Sequence, residues 1–106
     1  VAAVVADAQA LPVRPGAAQV VVAENVLDLL DAPEAFLARV QTALAPRGRA
    51  LVSTPSPALA GARVRRLVRR AGLELLEQAE ALPWVRANSA RHLEVYLVHA
   101  LLLGRR

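Results

Sequence analysis

Two short, unbroken apolar runs in this chain end in polar residues suited to binding. Val1-Ala2-Ala3-Val4-Val5-Ala6 runs into Asp7, and Gln19-Val20-Val21-Val22-Ala23 runs into Glu24 and Asn25. Continuous β-branched runs without alternation read as strands buried on both faces, the kind that parallel sheets hold between helices. Ligands of open α/β sheets sit just beyond the carboxyl ends of such strands, so Glu24 and Asn25 stand where chemistry is expected, and Asp7 repeats the pattern of a strand finishing in an acid. Of the two imidazoles, His92 lies in a polar stretch, whereas His99 lies inside an apolar run, where a satisfied core or edge residue is expected. With no Cys anywhere, disulfides, thiolate metal sites and Cys nucleophiles are all excluded.

The elements that would position these residues follow in order. Val13-Arg14-Pro15-Gly16 is a turn leading into the Gln19 strand. Asp31-Ala32-Pro33-Glu34 is a helix start, with Asp31 as cap, Pro33 in the first turn and Glu34 as capping-box partner. That helix is predicted to run to about Ala45, with Phe36, Leu37, Val40 and Leu44 on its core stripe and Arg39 and Gln41 away from it. Pro46-Arg47-Gly48 ends it, Gly48 being expected to take a left-handed cap. Arg49 to Thr54 is a third strand, closed by Pro55 and Pro57.

From Ala58 to Ala71 the spacing predicts a second amphipathic helix, with Ala60, Val64, Leu67, Val68 and Ala71 inward. Arg63, Arg65, Arg66, Arg69 and Arg70 cover the rest as a solvated face. Gly72 caps that helix, and Leu73 to Ala79 alternates well enough for an edge strand. Leu82-Pro83-Trp84 opens a polar segment, Val85 to Arg91, that leads to the longest strand candidate, Leu93 to Leu103. Tyr96 and His99 both sit in that last run.

At 106 residues the chain is one domain at most, and its start at Val1 with no Met leads us to expect a piece of something longer. Its core is aliphatic, because Trp, Tyr and Phe occur once each. All 13 basic residues are Arg and the net charge is +4, which invites a nucleic-acid reading. The poverty of aromatics for base stacking and the spread of the Arg around a helix argue against it. No apolar run approaches the roughly 18 residues of a membrane span and Val1 to Ala6 lacks the basic flank and length of a secretion signal, so a cytoplasmic protein is expected, with no membrane partner.

Several words of this sequence, in their order, resemble the C-terminal half of class I S-adenosylmethionine-dependent methyltransferases, and the resemblance covers nearly the whole chain. Val5-Ala6-Asp7-Ala8-Gln9-Ala10-Leu11-Pro12 is similar to the segment after that family's third strand. Val26 to Pro33 resembles its "V-L-x-H-L-x-D-P", and Leu44-Ala45-Pro46-Arg47-Gly48-Arg49 its "L-x-P-G-G" turn. Gln19, Leu29 and Arg47 depart from the pattern, Leu29 by removing a frequent active-site imidazole. The family's Gly-rich turn and the ribose-holding acid after it do not occur here. Asn25-Val26-Leu27-Asp28 with Asp31 and Pro33, and later Leu82-Pro83-Trp84, give a narrower resemblance to the DREV-type branch that methylates protein histidines.

The resemblance implies an α/β fold: the C-terminal half of a Rossmann-like sheet, mostly parallel with a final antiparallel strand, residues 1–106 forming a partial methyltransferase domain whose N-terminal cofactor-binding portion lies elsewhere. It implies S-adenosylmethionine as cofactor and a small-molecule or protein side chain as methyl acceptor. Asp7 and the amide of Ala8 would read the adenine edge; the other reading of Asp7 is a loop residue capping local amides. Ala23, Glu24 and Asn25 would border the methionine end of the cofactor, Asn25 also orienting the acceptor; otherwise they are a polar strand end beginning a helix. His92 would take a proton from the acceptor, and Trp84, Arg91 and Tyr96 would wall the acceptor site. A module of the same fold that binds a partner and catalyses nothing stays open beside this.

Overall fold

The computed structural model describes residues 3–59 and 61–106; Val1, Ala2 and Ala60 lie outside it. Four strands, β1 (Ala18–Glu24), β2 (Leu44–Thr54), β3 (Leu73–Ser89) and β4 (His92–Arg105), form one sheet in the order β1-β2-β4-β3. β1 and β2 are parallel, while β4 runs against both of its neighbours. Three strands, β1, β2 and β3, thus run the same way and the final strand runs against them, as expected, which makes the sheet a mixed one. Because the single reversed strand lies inside the sheet, two of the three pairings are antiparallel.

Two helices, α1 (Pro33–Ala43) and α2 (Gly61–Arg70), with single 3₁₀ turns at Ala8–Ala10, Leu27–Leu29 and Pro57–Leu59, complete the described elements. Alternate residues of the strands point to the helices and form the core: Ala23 from β1, Ala50 and Val52 from β2, Leu101 and Leu103 from β4 and Leu73 from β3 meet Phe36, Leu37, Val40, Val64 and Val68. Burying aliphatic side chains of this size stabilises by roughly 1.5 to 3 kcal/mol each before entropy is counted. The stripe predicted for α1 is buried throughout, and Val64 and Val68 anchor α2, whose Arg side chains face outward.

The opposite face of the sheet is bare. Val20 and Val22 are 67% and 58% exposed, and Leu51 beside them is 38% exposed.

Four local expectations change. Residues 3–6 are not a strand: Val4 and Val5 are exposed, and the outer edge of β1, which pairs only with β2, is not taken up by them. Ala32, not Asp31, is the cap of α1, and it has no side-chain cap; its own N–H instead donates to Gln9 Oε1 at 2.9 Å. Helix α1 stops at Ala43 and β2 begins at once, so Leu44 to Gly48 bulge out between the pairs Ala18–Leu44 and Val20–Arg49. Gly48 is needed there for close approach rather than for a left-handed cap. A β-carbon on it would stand 2.8 Å from the Ala18 carbonyl oxygen.

The fourth change is the largest. The polar segment expected after Leu82-Pro83-Trp84 is strand up to Ser89, the continuation of β3 past a break at Ala81, whose φ is +57°. Pro83 is accommodated because β3 is an edge strand. By contrast Gly72 caps α2 as expected, with φ +77°. Among the described residues, no helix is long and apolar enough to cross a membrane.

Candidate active site

The parallel pair β1–β2 brings its carboxyl ends side by side, with Glu24 opposite Ser53. The chain then turns sharply at Asn25, which takes a left-handed φ of +54°. Asparagine tolerates that conformation better than most residues because its short amide can bond locally. Here the amide bonds across the sheet: Ser53 Oγ donates to Asn25 Oδ1 at 3.2 Å, and the Asn25 N–H is 2.9 Å from the Ser53 carbonyl and 3.1 Å from its hydroxyl. Next along β2, the buried Thr54 hydroxyl donates to Asp28 Oδ1 at 3.4 Å and accepts the Ser56 N–H at 3.2 Å. A row of hydroxyls on β2 thus fixes the backbone that leaves β1.

Around this lock lies a cleft of about 250 Å³, lined by Glu24, Asn25 and Ser53 and, across β4, by Leu82, Trp84 and Val98. A whole drug-sized ligand takes roughly 300 Å³ or more, so the cleft fits one end of such a molecule. Its polar groups converge at one corner, with apolar and aromatic surface elsewhere. Larger clefts of about 500 and 550 Å³ flank α2, but they open among Arg65, Arg69 and Arg106 or Arg63, Arg66 and Arg70, away from the carboxyl ends of β1 and β2. Among the described residues no group of three His, Cys, Asp or Glu is placed to hold a metal.

Trp84 and Tyr96 stack across β3–β4 with ring centroids 5.2 Å apart. The Tyr96 hydroxyl donates to Glu94, which also accepts from Asn88. These bonds, the phenol's first, hold the Glu94 carboxyl below the usual carboxylate range, aided by Arg86 and opposed by desolvation. The same carboxylate raises the Tyr96 phenol above its ordinary value.

The remaining expected site residues fall at three places. Ala23 is buried with its side chain in the helix-side core, on the other face of β1 from Glu24. Asp7 stands at the start of the Ala8–Ala10 turn, where its Oδ1 accepts the Gln9 N–H at 2.8 Å, and Ala8 packs against the core. Arg91 and His92 occupy the exposed tip of the β3–β4 hairpin, where His92 Nδ1 is 3.5 Å from the Asn88 amide. Six residues, about 20 Å of strand, separate His92 from Val98 in the cleft. His99, expected to be satisfied, has a buried Nδ1 without a hydrogen-bond partner, because its strand neighbours are the backbone of Thr54 on one side and a break in β3 on the other.

Sequence reasoning missed Ser53. Its signal was present: a hydroxyl ending a strand that is flanked by another strand ending in Glu-Asn.

The α/β architecture with its mixed four-stranded sheet agrees with what comparison with known proteins finds. Residues 1–102 match the family described as Methyltransferase domain. The chain belongs to that family. Its backbone is similar to the TehB-like SAM-dependent methyltransferase from Corynebacterium glutamicum, at 22% identity and a TM-score of 0.70, covering 97% of this chain and 55% of that one. It is similar also to a SAM-dependent methyltransferase from Thermotoga maritima described as a possible histamine N-methyltransferase, at 13% identity and a TM-score of 0.68, covering 95% and 62%. A Leishmania major SAM-dependent methyltransferase aligns at 16% identity and a TM-score of 0.68, covering 93% and 43%. These likenesses show the methyltransferase fold, and this chain spans only 43 to 62% of the three neighbours' lengths. No curated protein matches.

Proposed function

We propose that this chain is the acceptor-side portion of an S-adenosylmethionine-dependent methyltransferase, transferring a methyl group to a small-molecule or protein side-chain acceptor. The observation that carries the reading is the Asn25–Ser53 lock at the mouth of the parallel pair, facing the Trp84 wall across the cleft. Methyl transfer from a sulfonium has a good leaving group built in, so the protein's work is chiefly to hold donor and acceptor in line. A fixed carboxamide beside an aromatic wall suits that task. The residues fit the cofactor in kind: Asp7 carries a free carboxylate oxygen for an amino group, and Glu24 presents an exposed carboxylate at the cleft.

The bare sheet face and the size of the cleft support a division of the pocket. Val20, Val22 and Leu51 lie uncovered on the parallel pair β1–β2, and parallel strands are normally covered on both faces, while the cleft fits only one end of a ligand. The Gly-rich turn and ribose-holding acid would accordingly come from another segment. Titration calorimetry tests this on the 106-residue chain alone and on the chain with the parental upstream sequence restored. Weak or no S-adenosylmethionine binding by the first and clear binding by the second is expected. Tight binding by the short chain would overturn the division.

A further inference from the structure

Strand β4 leaves β2 after His99, which pairs with the last residue of β2, Thr54. Beyond that point Leu82–Ser89 and His92–Val98 continue together as a two-stranded arm. An isolated two-stranded ribbon is marginal in water and needs a third strand or a packed face. One face of this arm has its own internal contacts, the Trp84–Tyr96 stack and the Glu94 bonds to Tyr96 and Asn88. The other face is formed by the cross-strand pairs Pro83–Leu97, Val85–Val95 and Ala87–Leu93, every one apolar. It is uncovered: Val85, Leu93, Val95 and Leu97 are 57%, 64%, 65% and 58% exposed.

We propose that this face is the interface of a two-fold dimer, in which the arm packs against the same arm of a second copy of the chain. Three features select a second copy. The stripe meets itself without a polar group between: about a dyad through Val85 and Val95, Ala87 of one arm meets Pro83 of the other and Leu93 meets Leu97, apolar against apolar along its length. Charge is complementary in the same antiparallel sense, since Arg91 stands at the tip of the arm and Glu80 at its base, whereas Arg86 faces Glu94 of its own arm. Antiparallel stacking brings Arg91 toward Glu80 of the partner subunit. The area also suffices: the four side chains present on the order of 400 Å² per arm, and with flanking residues two arms bury on the order of 1,000 Å², the lower bound for a specific interface. Pairing on this side leaves the Trp84–Tyr96 face of each arm open toward the cleft.

The test is sedimentation velocity on the full chain at micromolar concentration, with circular dichroism as the folding control. The expected result is twice the monomer mass for the native chain, falling to the monomer mass for Val95→Glu. Since the chain has no Cys, Val95→Cys gives a single thiol close to the dyad, which should cross-link two copies on mild oxidation even if Val95→Glu fails to fold. Val22→Cys, on the bare sheet face, should not cross-link. Glu80→Arg should weaken the dimer and the double change with Arg91→Glu should restore it. A folded native chain of monomer mass, or cross-linking through Val22→Cys and not Val95→Cys, overturns the proposal.

Discussion

The hydroxyl of Ser53 holds the side-chain oxygen of Asn25 at 3.2 Å while the Asn25 N–H points back at the Ser53 carbonyl at 2.9 Å. Two residues 28 positions apart thus fix one left-handed backbone turn at the carboxyl end of the sheet. The lock makes a rigid carboxamide out of what would otherwise be a mobile strand end.

From this lock follows a separation of stability from turnover. Asn25→Ala puts an ordinary residue at φ +54° and should cost on the order of 1 kcal/mol in a denaturant melt. Asn25→Gly should recover most of that, because glycine takes the conformation freely. Neither supplies the amide, so in the protein with its upstream segment restored both should lower methyl-transfer rates with cofactor affinity near its starting value. Recovery of turnover in Asn25→Gly would leave Asn25 a purely conformational residue.

The Glu94–Tyr96 pair predicts a pH window. Because the Glu94 carboxyl is lowered, its contribution is complete above the ordinary value of 4.5 and is lost as pH falls through the folded value below it. Because the Tyr96 phenol is raised, its contribution is complete below 10.0 and is lost as pH rises through the folded value above it. Tyr96 is the only tyrosine, so tyrosinate absorbance reads it alone. The midpoint should lie above 10.0 and return toward it in Glu94→Gln. The single tryptophan, Trp84, stacked on Tyr96, should change its fluorescence on the acid side.

Parts of this architecture were legible because they depend on local pattern. The α1 stripe, the Gly72 cap and the strand of β1 follow from periodicity, a positive-φ requirement and an apolar run. The hairpin arm was not legible, since Arg86, Asn88 and Ser89 read as loop residues while only their alternation with Val85 and Ala87 marks a strand, and Pro83 and Ala81 interrupt even that. Asp7 reads as closing a strand, yet an apolar run becomes a strand only by pairing with a neighbour, and residues 3–6 do not pair with the free edge of β1. The Asn25–Ser53 lock was half legible: Asn25 was marked by position, whereas Ser53 depends on the register of β1 against β2.

Asp7 predicts a second division of labour. Its Oδ1 caps the turn whose Gln9 in turn accepts the Ala32 N–H at 2.9 Å, at the start of α1. Asp7→Ala should therefore cost about 1 kcal/mol of stability through the lost cap. If its other oxygen meets the adenine amino group, cofactor binding in the restored protein should weaken further, by on the order of 1.5 to 3 kcal/mol. Asp7→Ser keeps a capping hydroxyl and should regain stability without regaining affinity. Calorimetric titration beside a thermal melt reads both quantities, and normal affinity in Asp7→Ala would reduce Asp7 to a cap.

The closest approach at any of the five glycines gives the last prediction. Between α1 and the paired part of β2 the chain bulges from Leu44 to Gly48, and a β-carbon at Gly48 would meet the Ala18 carbonyl oxygen at 2.8 Å, the Ala45 carbonyl oxygen at 3.0 Å and Leu44 Cδ2 at 3.0 Å. Two of these neighbours are backbone and cannot rotate away, so Gly48→Ala must push β1 and β2 apart where their parallel pairing begins. Overpacking of this kind costs roughly 1 to 3 kcal/mol. The strain enters at Ala18, at the opposite end of β1 from Glu24, so the polar corner should survive in molecules that remain folded. Gly104, whose nearest neighbour is the flexible Leu76 Cδ1 at 3.1 Å, is the control, and Gly104→Ala should be tolerated better. Equal losses for the two alanines in denaturant melts would mean that the bulge relaxes, and that the close approach at Gly48 does not fix how α1 hands the chain to β2.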